Sequence, residues 1–208
     1  MRRGRADKRC AITEAALRVF GRDGYVRASI DAIAAEAGVS TRTIYNHFTN
    51  KEDLFAYVLR TSATEVAEAF VATIEATVVG DDLMADLRAL GEAFVAQRRD
   101  FPAHFGMVAQ IKTEASHVDA AVVDDWQRAG PRRVQRELAA RLRRLADGGG
   151  LRVADPARAA AHFSALVIAD DNTRGFGSAA PSARQVSDGV AAAVEVFVHG
   201  YRSGRSST

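Results

Sequence analysis

The chain has a single cysteine, Cys10, among its 208 residues. It can form no intrachain disulfide and no thiolate cluster that would hold a metal, which leaves a packed thiol or a redox-sensitive one. Proline is scarce too, with four residues, and little of the sequence reads as strand. No uninterrupted apolar run approaches the roughly 18 residues of a membrane span. The start, Met1-Arg2-Arg3-Gly4-Arg5, leads into polar sequence and not into an apolar signal region, so the expected location is the cytoplasm. Enzyme signatures are missing as well: there is no phosphate-binding glycine loop, HExxH pair or nucleophile elbow, and the histidines at 47, 104, 117, 162 and 199 lack ligand spacing. The sequence therefore argues against catalysis and implies neither a cofactor nor a metal.

What is present is hydrophobic content of 48%, enough for a packed core, and a net charge of +2 that is unevenly spread. Residues 1–50 carry nine Lys/Arg against five Asp/Glu, whereas the remainder carries 19 against 21. The basic end is where a polyanion would bind, although many basic termini have no such role.

Alanine is abundant and apolar residues recur every three or four positions, which predicts an all-α fold. Ile12, Ala16, Leu17 and Phe20 line a first helix that Gly21 to Gly24 should close. Ser29 is suited to cap a second helix bearing Ile30, Ile33, Ala34 and Ala37, which ends at Gly38. Ser40 can cap a third, with Ile44, Tyr45 and Phe48 including the inward positions. Two short helices joined by a glycine turn form a helix-turn-helix pattern. Lys51 opens a long fourth helix through Leu54, Val58, Val66, Phe70 and Ile74. Further helices are predicted around residues 83–94, 105–111 and 122–145, with Pro131 kinking or interrupting the last, and after Asp155-Pro156 and through 186–201.

The residue identities go beyond a generic helix-turn-helix. Ala11–Tyr25, then Ser29–Ser40 and Thr43–Leu54, with their glycines, the Tyr45-x-His47-Phe48 aromatics and Lys51-Glu52-x-Leu54, closely resemble the DNA-binding domain of the tetracycline-repressor (TetR) family over residues 8 to 55. The resemblance implies a three-helix DNA-binding domain over residues 1–55 and a helical ligand-binding and dimerisation domain over 56–201, while the polar stretch 202–208 reads as a disordered tail. It also implies an operator of double-stranded DNA and a homodimer joined through the last two helices, since a C2 dimer matches a palindromic site. An unidentified small-molecule effector would be the third partner, with no membrane involved.

Physical chemistry distributes roles over these residues. The helix starts at Ser29, Ser40 and Lys51 present free N–H groups to phosphates. Thr41, Arg42 and Thr43 have the reach to meet base edges in the major groove, Arg42 as the candidate reader of guanine. By resemblance, Tyr45 and His47 contact phosphates, the alternatives being a core tyrosine and a solvated histidine. Asn46 is a base-contact candidate that departs from the larger or basic residue common there in the family. The arm Arg2, Arg3, Arg5, Lys8 and Arg9 either reaches a groove or is a solvated tail.

The second half is less legible. Trp126-x-x-Ala-Gly-Pro-x-Arg-Val and Leu151-Arg-Val-x-Asp-Pro are similar to effector domains of the family but name no ligand. Phe94, Phe101, His104, Phe105, Met107, Trp126, His162 and Phe163 are the candidates to line a pocket, each equally readable as an ordinary core or surface residue. Asp170, Asp171, Asn172 and Arg174 either pair across a dimer interface or form a solvated helix end. A ligand favouring a different spacing of two reading heads would weaken DNA binding, with the fourth helix as transmitter. An activator, or an architectural DNA binder without effector, stays open.

Overall fold

The computed structural model describes residues 2–76, 82–114, 117–170 and 181–202, with side chains from Asp7 onward. Arg2, Arg3 and Arg5 as side chains, Asp171, Asn172, Arg174 and the tail from residue 203 lie outside the described residues. Ten α-helices account for most of the remainder: α1 (Arg2–Arg27), α2 (Ile30–Ala37), α3 (Thr41–Tyr45), α4 (Lys51–Ala76), α5 (Leu83–Asp100), α6 (Pro102–Thr113), α7 (Ala120–Ala129), α8 (Pro131–Asp147), α9 (Pro156–Val167) and α10 (Ala183–Tyr201). Among the described residues no strand occurs beyond an isolated bridge between Leu151 and Arg202.

The predicted caps form. Ser29 accepts from Ala32 N, Ser40 from Thr43 N and Asp155 from Arg158 N, while Gly38 takes a left-handed φ of 65° that only glycine adopts freely. Pro131 does more than kink a helix: it occupies the first position of α8, where its missing N–H is harmless. The expected closure between Gly21 and Gly24 falls at Gly24, where the helical dihedrals break with φ 78° and ψ 171°, and Gly21 is still helical.

The described residues pack as two compact units. One gathers the chain up to Ala67 with Asp100–Pro131; the other gathers Glu68–Arg99 with the chain from Arg132 onward. In space α6 and α7 pack with the helix-turn-helix, and α4 contributes to both units.

In the first unit, Ile12, Val19 and Phe20 of α1, Ile33 of α2, Ile44 of α3, Leu54, Phe55 and Leu59 of α4 and Met107 of α6 are buried in one core. Phe20 meets Phe55 edge to face at 5.0 Å, and Tyr25 lies 4.7 Å from the same ring. Gly21 is glycine because α6 crosses there. A Cβ on Gly21 would stand 3.0 Å from the Ala103 carbonyl oxygen, and one on Gly106 would stand 3.4 Å from the Gly21 carbonyl oxygen. In the second unit α9 and α10 pack through Phe163 and Phe197, edge to face at 5.2 Å. A Cβ on Gly91 of α5 would collide with Val190 at 2.7 Å.

Replacing a helix-interior glycine by alanine ordinarily stabilises by about 0.5–1 kcal/mol. Gly21→Ala is expected to do the opposite and destabilise by about 1–3 kcal/mol, because backbone must move to admit the methyl group. Denaturant unfolding of the two proteins reads the sign directly.

Candidate nucleic-acid interface

The third helix is short, and its sequence divides its faces sharply. Ile44 points inward at 0% exposure, while Tyr45 next to it is 55% exposed. That exposure separates the two readings of Tyr45: its ring is not core. Arg42 projects to solvent, Thr41 and Thr43 are half-buried, and Asn46 is exposed as the residue that caps α3 at its C-terminus. Thr43 Oγ1 shares a hydrogen bond of 2.9 Å with Ser40 Oγ, so both hydroxyls already serve the start of α3. Ser29 is exposed, and His47 is half-buried with its N–H bonded to the Ile44 carbonyl. Arg42, Tyr45 and Asn46 therefore form an open polar surface on a helix anchored from behind by one isoleucine.

Two ion pairs and an arginine stack brace this surface. Glu36 of α2 accepts from Arg18 Nε at 2.7 Å and Arg22 Nη1 at 3.3 Å, which ties α2 to α1 and holds the Glu36 carboxyl below its ordinary range. Arg9 lays its guanidinium 4.4 Å from the Tyr57 ring centre and 5.3 Å from that of Phe48. Arg9 is thus a held side chain beside the helix-turn-helix, something that a count of basic residues does not reveal.

Lys51 opens α4, and its ammonium is already engaged. Its Nζ donates to the carbonyls of Tyr25 at 2.9 Å, Ala28 at 3.1 Å and Val26 at 3.4 Å, and it stands 4.6 Å from the Tyr25 ring centre. An ammonium has three donors, and here each has an acceptor. What remains for a phosphate at this point is the N-terminus of α4. The peptide groups on the other side of the same turn are also held: Glu114, just past α6, accepts from Tyr25 N at 2.7 Å and Val26 N at 3.3 Å. Nothing in the sequence around Glu114 signals this contact, which joins residues 89 positions apart.

The eight pocket candidates are divided between the two units. Phe101, His104, Phe105, Met107 and Trp126 belong to the first unit, and Phe94, His162 and Phe163 to the second. Met107 and Phe163 are fully buried core. Phe94 stacks edge to face on Phe70 at 5.8 Å, Phe101 precedes α6 half-buried, and Phe105 packs edge-on to His104 at 5.2 Å. His162 is exposed and bonded to Tyr201 Oη at 2.8 Å. Trp126 packs against the first core with its Nε1–H buried and without a partner among the described residues. The second unit contains a cleft of about 890 Å³ lined by Thr73, Ala89, Glu92, Ala93, Ala96 and Val186, among others, and by none of the eight.

Residues 12–58 match the model of the bacterial regulatory proteins of the tetR family, and residues 85–203 match that of the AefR-like transcriptional repressor C-terminal domain. The chain belongs to the TetR family. A TetR-family transcriptional regulator from Mesorhizobium loti MAFF303099 superposes with a TM-score of 0.83 at 25% identity, covering 96% of this chain and 98% of that one. The fold is shared with a transcriptional regulator from Saccharomonospora viridis in complex with choline, with a TM-score of 0.72, 24% identity and coverage of 98% and 100%. In sequence, 90 residues are 36% identical to the nicotine-responsive transcriptional repressor HdnoR of Paenarthrobacter nicotinovorans, a match spanning 43% of this chain and 43% of HdnoR. No described helix of this TetR-family protein is long and apolar enough to cross a membrane.

His104 supplies a pH test. It is 5% exposed, bonded through Nδ1 to Ser62 Oγ at 2.9 Å, and burial lowers its pKa to about 4. Between about 6.5 and 4 the unfolded chain binds a proton that the folded one refuses, so this contribution is intact above pH 6.5 and is lost as pH falls towards 4. Urea unfolding is expected to show a loss of up to roughly 3 kcal/mol across this window, smaller in His104→Gln.

Proposed function

We propose that this protein is a ligand-responsive transcriptional repressor that binds a palindromic operator as a homodimer and has no catalytic role. The carrying observation is the division of α3, with Ile44 locked into the core while Arg42, Tyr45 and Asn46 stand free of it. A helix of this kind can lie in a major groove, Arg42 reading a guanine edge and Thr41, Thr43 and Asn46 flanking it. Ser29, Ser40, Tyr45, His47 and the N-terminus of α4 at Lys51 are assigned to phosphates.

Dimerisation is supported by the outer face of α9 and α10. Ala161, Ala165, Ala192 and Val196 are exposed there, Val196 at 59%, and Leu166 is half-buried. An apolar surface on two adjacent helices is what a four-helix bundle between two copies covers. A cytoplasmic location follows from a DNA target.

Effector binding is supported by kinship and by a cleft in the second unit. HdnoR is nicotine-responsive, and the Saccharomonospora viridis structure holds choline. For this chain a small organic molecule is the matching class. The place that can receive it is the cleft of the second unit, where Glu92 bonds Ser187 at 2.9 Å beside alanine and valine side chains.

Selection of sites from random duplex DNA with the purified protein at physiological salt is expected to enrich a palindrome. Arg42→Ala should then weaken the enriched site by about 1–3 kcal/mol and relax preference at one position in each half. Binding that is indifferent to sequence, in the wild type as in the variant, would exclude the proposal in favour of an architectural DNA binder.

A further inference from the structure

The turn between α1 and α2 is built in an unusual way. At Gly24 the helical dihedrals break, and a single new turn begins there, closed by Ala28 N donating to the Gly24 carbonyl at 3.2 Å. A one-turn helix has unsatisfied N–H groups at its start, unsatisfied carbonyls at its end and almost no internal bonds to sustain it. Both sets are satisfied from outside. Glu114 receives the N–H groups of Tyr25 and Val26, and Lys51 donates to the carbonyls of Tyr25, Val26 and Ala28. A carboxylate thus sits at the positive end of the turn and an ammonium at the negative end, each complementing the local dipole.

The fit at Gly24 is tight. A Cβ there would lie 2.6 Å from Glu114 Oε1 and 3.0 Å from Cδ, and the φ of 78° disfavours any side chain. Lys51 belongs to the DNA-binding sequence module, which the family model ends at residue 58, but Glu114 does not. The turn leads directly into Ser29, the cap of α2, and through α2 to the recognition helix α3. The direction in which that pair leaves α1 is therefore fixed in part by a carboxylate at the end of α6.

We infer that Glu114 is a positioning residue for DNA recognition: by capping the turn at residues 24–28 it sets the orientation of α2 and α3, so sequence-specific affinity depends on a side chain outside the DNA-binding module. The inference rests on the proposed DNA-binding function. It has a signature opposite to electrostatics. Removing a negative charge near a DNA-binding surface should by itself leave affinity equal or higher, because phosphates repel carboxylates. A positioning role demands a loss.

The test compares wild type, Glu114→Ala and Glu114→Gln in the full chain by amide hydrogen exchange and by titration with the selected duplex. In Glu114→Ala the Tyr25 and Val26 amides should exchange at least tenfold faster while Val19 and Phe20 keep their protection. Operator affinity should fall about tenfold, with the slope of affinity against salt unchanged. Glu114→Gln keeps one acceptor oxygen and should recover most of both. Operator affinity of Glu114→Ala within twofold of wild type, or unaltered exchange at Tyr25 and Val26, would overturn the inference. Should the wild type itself bind no sequence selectively, the proposed function fails on that result alone, and the exchange arm still decides whether Glu114 holds the turn.

Discussion

The close crossing of α1 and α6 at Gly21 and Gly106 is the constraint on which the rest of the reading head depends. Two backbones approach so nearly that a methyl group at position 21 would press on the Ala103 carbonyl oxygen. That approach brings Met107 and Ile111 into the core formed by α1 to α4, and it puts Glu114 within reach of the turn after Gly24. Without it, Phe20, Phe55 and Tyr25 would lose one wall of their packing, and the turn leading to α2 would keep its carbonyl partner but lose its amide partner. The head is thus completed by helices from outside its own sequence module.

On this scaffold a small number of side chains face outward. Burial of Ile44 fixes the rotation of α3 about its axis, and that rotation makes Arg42, Tyr45 and Asn46 available. The bracing of Glu36 by two arginines adds little stability at an exposed site but helps fix the angle of α2 to α1. Arg9 over Tyr57 and Phe48 secures the opposite edge. Specificity in such a module depends on angles held to a few degrees, so the restraining contacts and the reading residues belong to one account.

The sequence was most legible where local rules dominate. Serines before apolar runs became caps at Ser29 and Ser40, glycine after Ala37 became a left-handed stop, and Asp155-Pro156 opened a helix. The all-α fold and the TetR family followed from periodicity and from the residues between Ala11 and Leu54. What stayed illegible was decided by long-range packing. The stretch from Gly21 to Gly24 does hold the end of the first helix, but nothing local shows that Gly21 is required by a crossing helix 85 residues away. The engagement of the Lys51 ammonium was hidden because its three carbonyl partners lie 23 to 26 residues earlier. The aromatic and histidine residues proposed for a pocket share a chemical type but are divided between two packing units, which composition cannot foresee. Glu114 had no signal at all.

The central claim, that α6 and the helix-turn-helix form one structural unit, is tested most directly by native-state hydrogen exchange of the full-length wild-type chain. The account predicts that the amides of α6 from Phe105 to Ile111 open with the same free energy as those of α1 around Val19 and Phe20, in one cooperative event. Opening of the α6 amides at much lower free energy, with α1 to α4 still protected, would contradict it.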